Sequence, residues 1–189
     1  MSIVRGVYEG LTAVIYGLIL DIALKALLLM GFTDLVYDVL QLIIAILWIG
    51  IEMFGWGGVC IINRGSCRLS TIYRYTMFIA TPLMAFSYLF YLYGDGTAAA
   101  VLFLIAVSLI LGLSVSSYVG AYMVSNQFRS GVGRVGSLIS IVAVIMWLAL
   151  IPRVMEVGTA INAVGNTLIL ITLLQVRRRY SPTGRPRRR

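Results

Sequence analysis

The chain contains no histidine, which removes His-ligated haem, His-based zinc sites and imidazole general bases together. Charge is scarce as well. Only 12% of the 189 residues are Asp, Glu, Lys or Arg, against roughly 25% in a soluble domain. Lysine is nearly missing: fourteen of the fifteen basic residues are Arg, and the exception is Lys25. That bias points to a GC-rich or thermophilic source. Cysteine occurs twice, at Cys60 and Cys67. The spacing is not Cys-x-x-Cys, and two thiols alone do not make a structural zinc site. Two unpaired thiols are the expectation.

What is abundant is apolar. Hydrophobic residues make up 60% of the chain, and the mean hydropathy is +0.97. A soluble protein needs more polar surface than this to cover its core, so the covering solvent must be lipid. The first apolar run is too long for the short apolar region of a cleavable signal peptide, and is expected to remain as a span. A hydrocarbon layer of about 30 Å takes roughly 20 apolar residues per helix. Six such runs can be read: Val7 to Met30, Asp34 to Trp56, Ile72 to Tyr93, Thr97 to Met123, Val135 to Ile151 and Thr159 to Val176. Between them lie turn signals or polar stretches: Gly31-Phe32-Thr33, a segment from Gly57 to Arg68, Gly94-Asp95-Gly96, Ser125 to Arg134, and Pro152-Arg153. Glycines at 57, 58 and 65 suggest that the second of these turns tightly or is partly re-entrant. A short echo between Ile43–Trp48 and Ile141–Trp147 consists of common apolar residues and does not establish a repeat.

Charge sets the orientation. With the N-terminus inside, the cytoplasmic segments hold thirteen of the fifteen basic residues. The outer side keeps only Arg153, and Lys25 falls within a span. This asymmetry is what the positive-inside rule asks for, and an odd number of spans would spoil it. The expected fold class is therefore all-α: a polytopic transmembrane helix bundle with six spans and both termini cytoplasmic. Residues 1–176 form the bundle and residues 177–189 a disordered Arg-rich cytoplasmic tail. The expected location is the cell membrane, multi-pass.

Ionisable residues inside a bilayer are expensive and mark the places where function is to be sought. Asp21 and Lys25 are four apart, hence on one face of the first span. Counting outward from the turn, Lys25 is level with Asp38 of the second span, while Asp34 lies one turn further out. One reading is an ion, proton or substrate site; the other is a neutralised pair that fixes the hairpin. Glu52 lies toward the cytoplasmic end of the second span, about level with Glu9. It would either pair with Arg64, Arg68 or Arg74 at the interface or gate a pathway. Asn162 and Asn166 share a face of the sixth span, facing other helices. Asp21, Lys25, Asp38, Glu52, Asn162 and Asn166 thus form the candidate intramembrane polar site.

Small residues at 112, 116 and 120, and at 159, 163 and 167, read as helix-packing stripes. Tyr88, Tyr91 and Tyr93 near one interface, and Trp56, Tyr73 and Tyr75 near the other, read as headgroup anchors. In the tail, Arg177, Arg178, Arg179, Arg185, Arg187, Arg188 and Arg189 would contact anionic lipid, at about 1 kcal/mol each near the surface. Partner protein is the other reading. Nucleic acid is not expected, because one aromatic makes no stacking platform. Other protein partners would be further copies of the chain or other membrane subunits.

No Ser or Thr has a recognisable base beside it, so an enzyme is not expected, nor is a cofactor. Two function classes remain. The chain is a small-solute or ion transporter or the membrane-embedded substrate-binding subunit of one, or it is a non-catalytic structural subunit of a larger membrane complex. Topology can be tested first. Green fluorescent protein fused after Val176 is expected to fluoresce, and alkaline phosphatase inserted at Asp95 to be active. Active phosphatase after Val176 would overturn the orientation.

Overall fold

The computed structural model describes residues 3–29, 35–147 and 151–181; of these, the side chains of residues 28–29, 35–39, 41–42 and 152 fall outside the description. The described residues fold into six α-helices and no strands: α1 (Ile3–Leu29), α2 (Leu35–Val59), α3 (Arg64–Leu92), α4 (Gly96–Gln127), α5 (Gly131–Trp147) and α6 (Pro152–Arg179). Helix is what these segments must adopt in lipid, since it satisfies every backbone N–H and C=O within the segment. Four stretches are long and apolar enough to cross a membrane: Ile3–Leu27, Arg64–Leu92, Gly96–Gln127 and Arg153–Arg179. Two shorter apolar helical stretches, Ile43–Val59 and Gly131–Trp147, accompany them. The outer surface is apolar too. Phe78 is 75% exposed and Phe54 73%, a surface suited to lipid rather than water.

The helices close into a ring in chain order. Each packs on the next, α6 returns to α1, and α4 also touches α6 across the ring. The two described ends of the chain meet at one end of the bundle, where the Arg177 guanidinium lies 5.6 Å from the centre of the Tyr8 ring. The α2–α3 and α4–α5 turns meet each other there as well: Asn63 donates to the Gln127 side chain and Gln127 to the Ile62 carbonyl. The helix ends bearing Arg5, Arg64, Arg68, Arg129, Arg134 and Arg177–Arg179 therefore converge.

Two helix pairs approach closely because their contact points lack side chains. On α1 and α2, a Cβ at Gly10 would stand 2.7 Å from the Gly58 Cα. On α5 and α6, a Cβ at Gly136 would stand 2.8 Å from the Gly165 carbonyl oxygen. The small stripe on α4 divides: Gly120 packs on Trp56 and Leu69, while Gly112 is exposed with nothing near it. The stripe on α6 divides likewise, with Thr159 buried and Thr167 exposed.

Several boundaries differ from the expectation, for one reason: polar residues at the ends of the apolar runs continue the helices. Gly57 and Gly58 lie inside α2, and Arg64 to Arg68 lie inside α3, so the segment turns tightly, within residues 60–63. Asn63 starts α3 by accepting the Gly65 N–H at 2.9 Å. Similarly, α4 runs through Gln127 and α5 starts at Gly131, which leaves a three-residue turn. Pro152 does not end the fifth helix; it opens α6, where its missing N–H is no loss. Arg177–Arg179 are the last helical turn of α6 rather than disordered tail. Cations there favour the helix C-terminus. The expected Gly94 turn does occur, with φ +82° at Gly94 and Asp95 capping α4 through the Ala98 N–H.

Cys60 and Cys67 are not free thiols. They form a disulfide across the α2–α3 turn, with the Cα atoms 4.7 Å apart, inside the usual range. The α2–α3 turn itself brings them together, a proximity that their spacing in the sequence does not reveal.

A size test separates the packed glycines from the open one. Gly10→Ala is expected to destabilise the detergent-solubilised protein by about 1–3 kcal/mol, the usual effect of overpacking. Gly112→Ala should leave the thermal midpoint unchanged or slightly raised. Equal effects at both positions would refute the close α1–α2 contact.

Candidate functional site: two polar clusters in the bundle core

The first cluster forms around the Lys25 ammonium. Its three protons meet three oxygens from three helices: Asp21 Oδ2 on α1, Tyr118 Oη on α4 at 3.0 Å and Asn162 Oδ1 on α6 at 2.5 Å. The Asp21 contact is an ion pair one helical turn along α1. Asp21 Oδ2 also lies 3.1 Å from the Tyr118 hydroxyl and accepts from Asn166 Nδ2 at 2.7 Å. Asn166 donates to Asn162 Oδ1 at 2.9 Å and accepts from Ser140 Oγ of α5 at 3.2 Å. Asn162 Nδ2 donates to the Ser140 carbonyl at 3.2 Å. Asp21, Tyr118, Asn162, Asn166 and Ser140 are all buried, and Lys25 is partly so.

The second cluster encloses Glu52, which is 1% exposed. Trp48 and Trp56 lie one turn before and after it on α2. Their indole N–H groups donate to Oε1 at 3.0 Å and to Oε2 at 3.2 Å. Ser117 of α4 donates to Oε2 at 2.6 Å, and the Tyr73 hydroxyl of α3 lies 2.5 Å from the same oxygen. Four donors thus surround the carboxylate, three of them at Oε2 and one at Oε1. Among the described residues no cation pairs with Glu52. Tyr73 Oη is also 3.2 Å from the Leu113 carbonyl. Its single proton serves one acceptor at a time. When it turns to Leu113, Glu52 can hold a proton of its own and donate to Tyr73. The Tyr73 contact can therefore be kept whether Glu52 is a carboxylate or a carboxylic acid.

The two clusters adjoin. Ser117 and Tyr118 are consecutive on α4 and serve one cluster each. On α1, Gly17 lies directly against the Glu52 side chain, one turn before Asp21. All six helices contribute: α1 through Asp21 and Lys25, α2 through Glu52 and its tryptophans, α3 through Tyr73, α4 through Ser117 and Tyr118, α5 through Ser140, and α6 through its asparagines.

Of the residues expected at the site, Asp21, Lys25, Asn162 and Asn166 are brought into one network. Glu52 lies beside it with partners other than those expected. Arg64, Arg68 and Arg74 are exposed, and Glu9 is exposed and paired with Arg5 at 2.8 Å. The Asp38 side chain and all of Asp34 lie outside the described residues, as do Arg185, Arg187, Arg188 and Arg189. Arg179 lies 5.5 Å from the centre of the Phe128 ring. Trp56 and Tyr73 are not headgroup anchors but fully buried partners of Glu52, whereas Tyr75, Tyr88, Tyr91 and Tyr93 are exposed. Trp48, Trp56, Tyr73, Ser117, Tyr118 and Ser140 were missed as site residues. The Trp48–Glu52–Trp56 spacing of four was a usable signal, since it stacks three polar-tipped side chains on one helix face.

No protein-family model, curated protein or solved structure matches the chain.

A double-mutant cycle tests the Lys25 network. Asp21→Asn alone is expected to destabilise by about 3–5 kcal/mol, because it leaves a buried ammonium without its counter-charge. Adding Lys25→Met should recover most of that loss in a denaturation assay on the purified protein. Additive losses would mean that the two groups do not form the pair described.

Proposed function

We propose that the chain is a six-span protein of the cell membrane, with both termini cytoplasmic, that moves or binds a small solute or ion at its polar centre. It does so alone or as the membrane-embedded substrate-binding subunit of a larger transporter. The observation that carries this reading is Glu52. It is a fully buried carboxylate, ringed by donors and without a described cationic partner, beside an ion pair that is already balanced. Helix packing alone does not require an ionisable group there, since neutral polar side chains also hydrogen-bond across a bundle. Intramembrane ionisable groups at the centre of a bundle are the groups that transport pathways use. The alternative proton position at Tyr73 suits a group that changes its charge during a cycle.

The second reading, a non-catalytic structural subunit, is supported by the saturation of the network. Among the described residues, Ser66 Oγ is the only buried side-chain N or O atom without a partner. The basic end of the bundle would then contact anionic lipid or a partner protein. Neither reading involves catalysis.

A solute-blind comparison tests the choice. Cells carrying wild-type protein or Glu52→Gln at equal membrane abundance are compared by mass spectrometry of their small-molecule pool and by elemental analysis. Transport predicts that at least one solute or ion differs several-fold. If Glu52→Gln accumulates poorly, Glu52→Asp, which keeps the charge and shortens the reach, replaces it. Identical pools, with Glu52→Gln still assembling into a fixed-stoichiometry membrane complex, would overturn transport in favour of the structural reading.

A further inference from the structure

We propose that the oxygen cage around the Lys25 ammonium is a binding site for a small monovalent cation of the primary-ammonium type, which Lys25 occupies as a tethered competitor. The proposal deepens the transport reading and rests on it for the purpose of the site; the existence of the site is tested without transport.

Three features of the cage support it. The first is its donor set. Asp21 Oδ2, Asn162 Oδ1 and Tyr118 Oη converge on one nitrogen from three different helices, and the Tyr118 ring centre is 5.7 Å from the same nitrogen. One carboxylate and two neutral oxygens match a single positive charge with three N–H donors. Divalent ions take six or more oxygens, commonly with several carboxylates among them.

The second feature is that the oxygens are held without the lysine. Asn166 fixes Asp21 at 2.7 Å and Asn162 at 2.9 Å. Asn162 is anchored to the Ser140 carbonyl at 3.2 Å, and Asn166 to the Ser140 hydroxyl at 3.2 Å. Gly165 presses against Ser140 and the Gly136 carbonyl, which fixes α6 against α5 at this level. Taking Lys25 away therefore leaves a preorganised cation cage, and preorganisation is what gives a small ligand its affinity.

The third feature is access. The Lys25 side chain is 11% exposed and that of Asp21 5%, so Lys25 is not fully enclosed. Its four-carbon stem is flexible. An incoming ammonium can take over the three oxygens as the lysine withdraws. The exchange replaces the Lys25–Asp21 ion pair and the hydrogen bonds to Tyr118 and Asn162 by the same contacts to the incoming ammonium, so one positive charge faces Asp21 before and after.

Chemical rescue tests the site. The full-length protein carrying Lys25→Ala is purified in detergent, and its thermal midpoint is followed against methylammonium chloride, with tetramethylammonium chloride as the control at equal ionic strength. Methylammonium presents three N–H donors and tetramethylammonium none. Ligand bound only to the folded state raises the midpoint as its concentration exceeds its dissociation constant. The expected result is a lowered midpoint for Lys25→Ala, of which methylammonium restores at least half and tetramethylammonium none. Wild type should need at least tenfold more methylammonium for the same shift, and Lys25→Ala combined with Asp21→Asn should not respond. Equal responses to the two salts, no response, or a full response in the Asp21→Asn combination would each overturn the proposal. If Lys25→Ala yields too little protein, folded monomer recovered from membranes extracted in each salt is measured instead. A several-fold excess in methylammonium supports the cage, and equal recovery overturns it. Rescue with unchanged cellular solute pools would leave the cage standing and reject transport. Altered pools without rescue would reject the cage alone.

Discussion

An ion inside hydrocarbon has to be solvated by the protein, and the arrangement of this bundle follows from that demand. Lys25 and Asp21 cannot satisfy each other along α1 alone. The ammonium has three protons, and the ion pair uses one of them. The other two are met by α4 and α6, and the oxygens of α6 are oriented by α5. Glu52 imposes the same demand on α2, α3 and α4. Lipid offers no hydrophobic drive for helices to associate. Polar convergence of this kind therefore gives the ring a reason to close, and each helix has at least one bond that it would lose by leaving.

Close approach makes that convergence geometrically available. A short side chain such as Ser117 or Ser140 reaches a partner only when the backbones are near. Gly10 against Gly58, and Gly136 against Gly165, bring the α1–α2 and α5–α6 pairs together. Near the first contact, Gly17 leaves room for the Glu52 side chain against α1. Near the second, Ser140 serves both asparagines of α6. In both pairs glycine sets the distance and the polar residues one or two turns away use it.

This hierarchy explains what could be read from the sequence. The membrane character and the helical class follow from hydropathy alone, and the spacing of four exposes Asp21 with Lys25 and Asn162 with Asn166. Those relations live on one helix. Which helix faces which is set by ring closure, so Tyr118 and Ser140 carry no local mark of their role. The partners of Glu52 are hidden in the sequence for a related reason. Tryptophan and tyrosine near a span end suggest the headgroup region, and arginines nearby suggest a surface pair. The depth of Glu52 depends on α2 continuing through Gly57 and Gly58, which read as a turn until Gly58 is seen packed on Gly10. The cysteines repeat the lesson: their proximity is produced by the fold of the α2–α3 turn.

The choice of glutamate at position 52 separates the two functional readings most sharply. A network kept only for shape could use glutamine there, with one acceptor oxygen and an amide that donates. The cage instead directs two indole N–H groups, a serine hydroxyl and a tyrosine hydroxyl at the two oxygens. Indole nitrogen can only donate, so a glutamine NH2 group turned toward either tryptophan would meet another donor. The surroundings are built for an acid residue, whose desolvation is expensive in either reading. A network of neutral polar side chains would hold the helices together without that expense. In the transport reading, a group that can exist in two protonation states can take up and release charge at the centre of the bundle, and a tyrosine with two acceptors supplies the switch in hydrogen bonding that such a group needs.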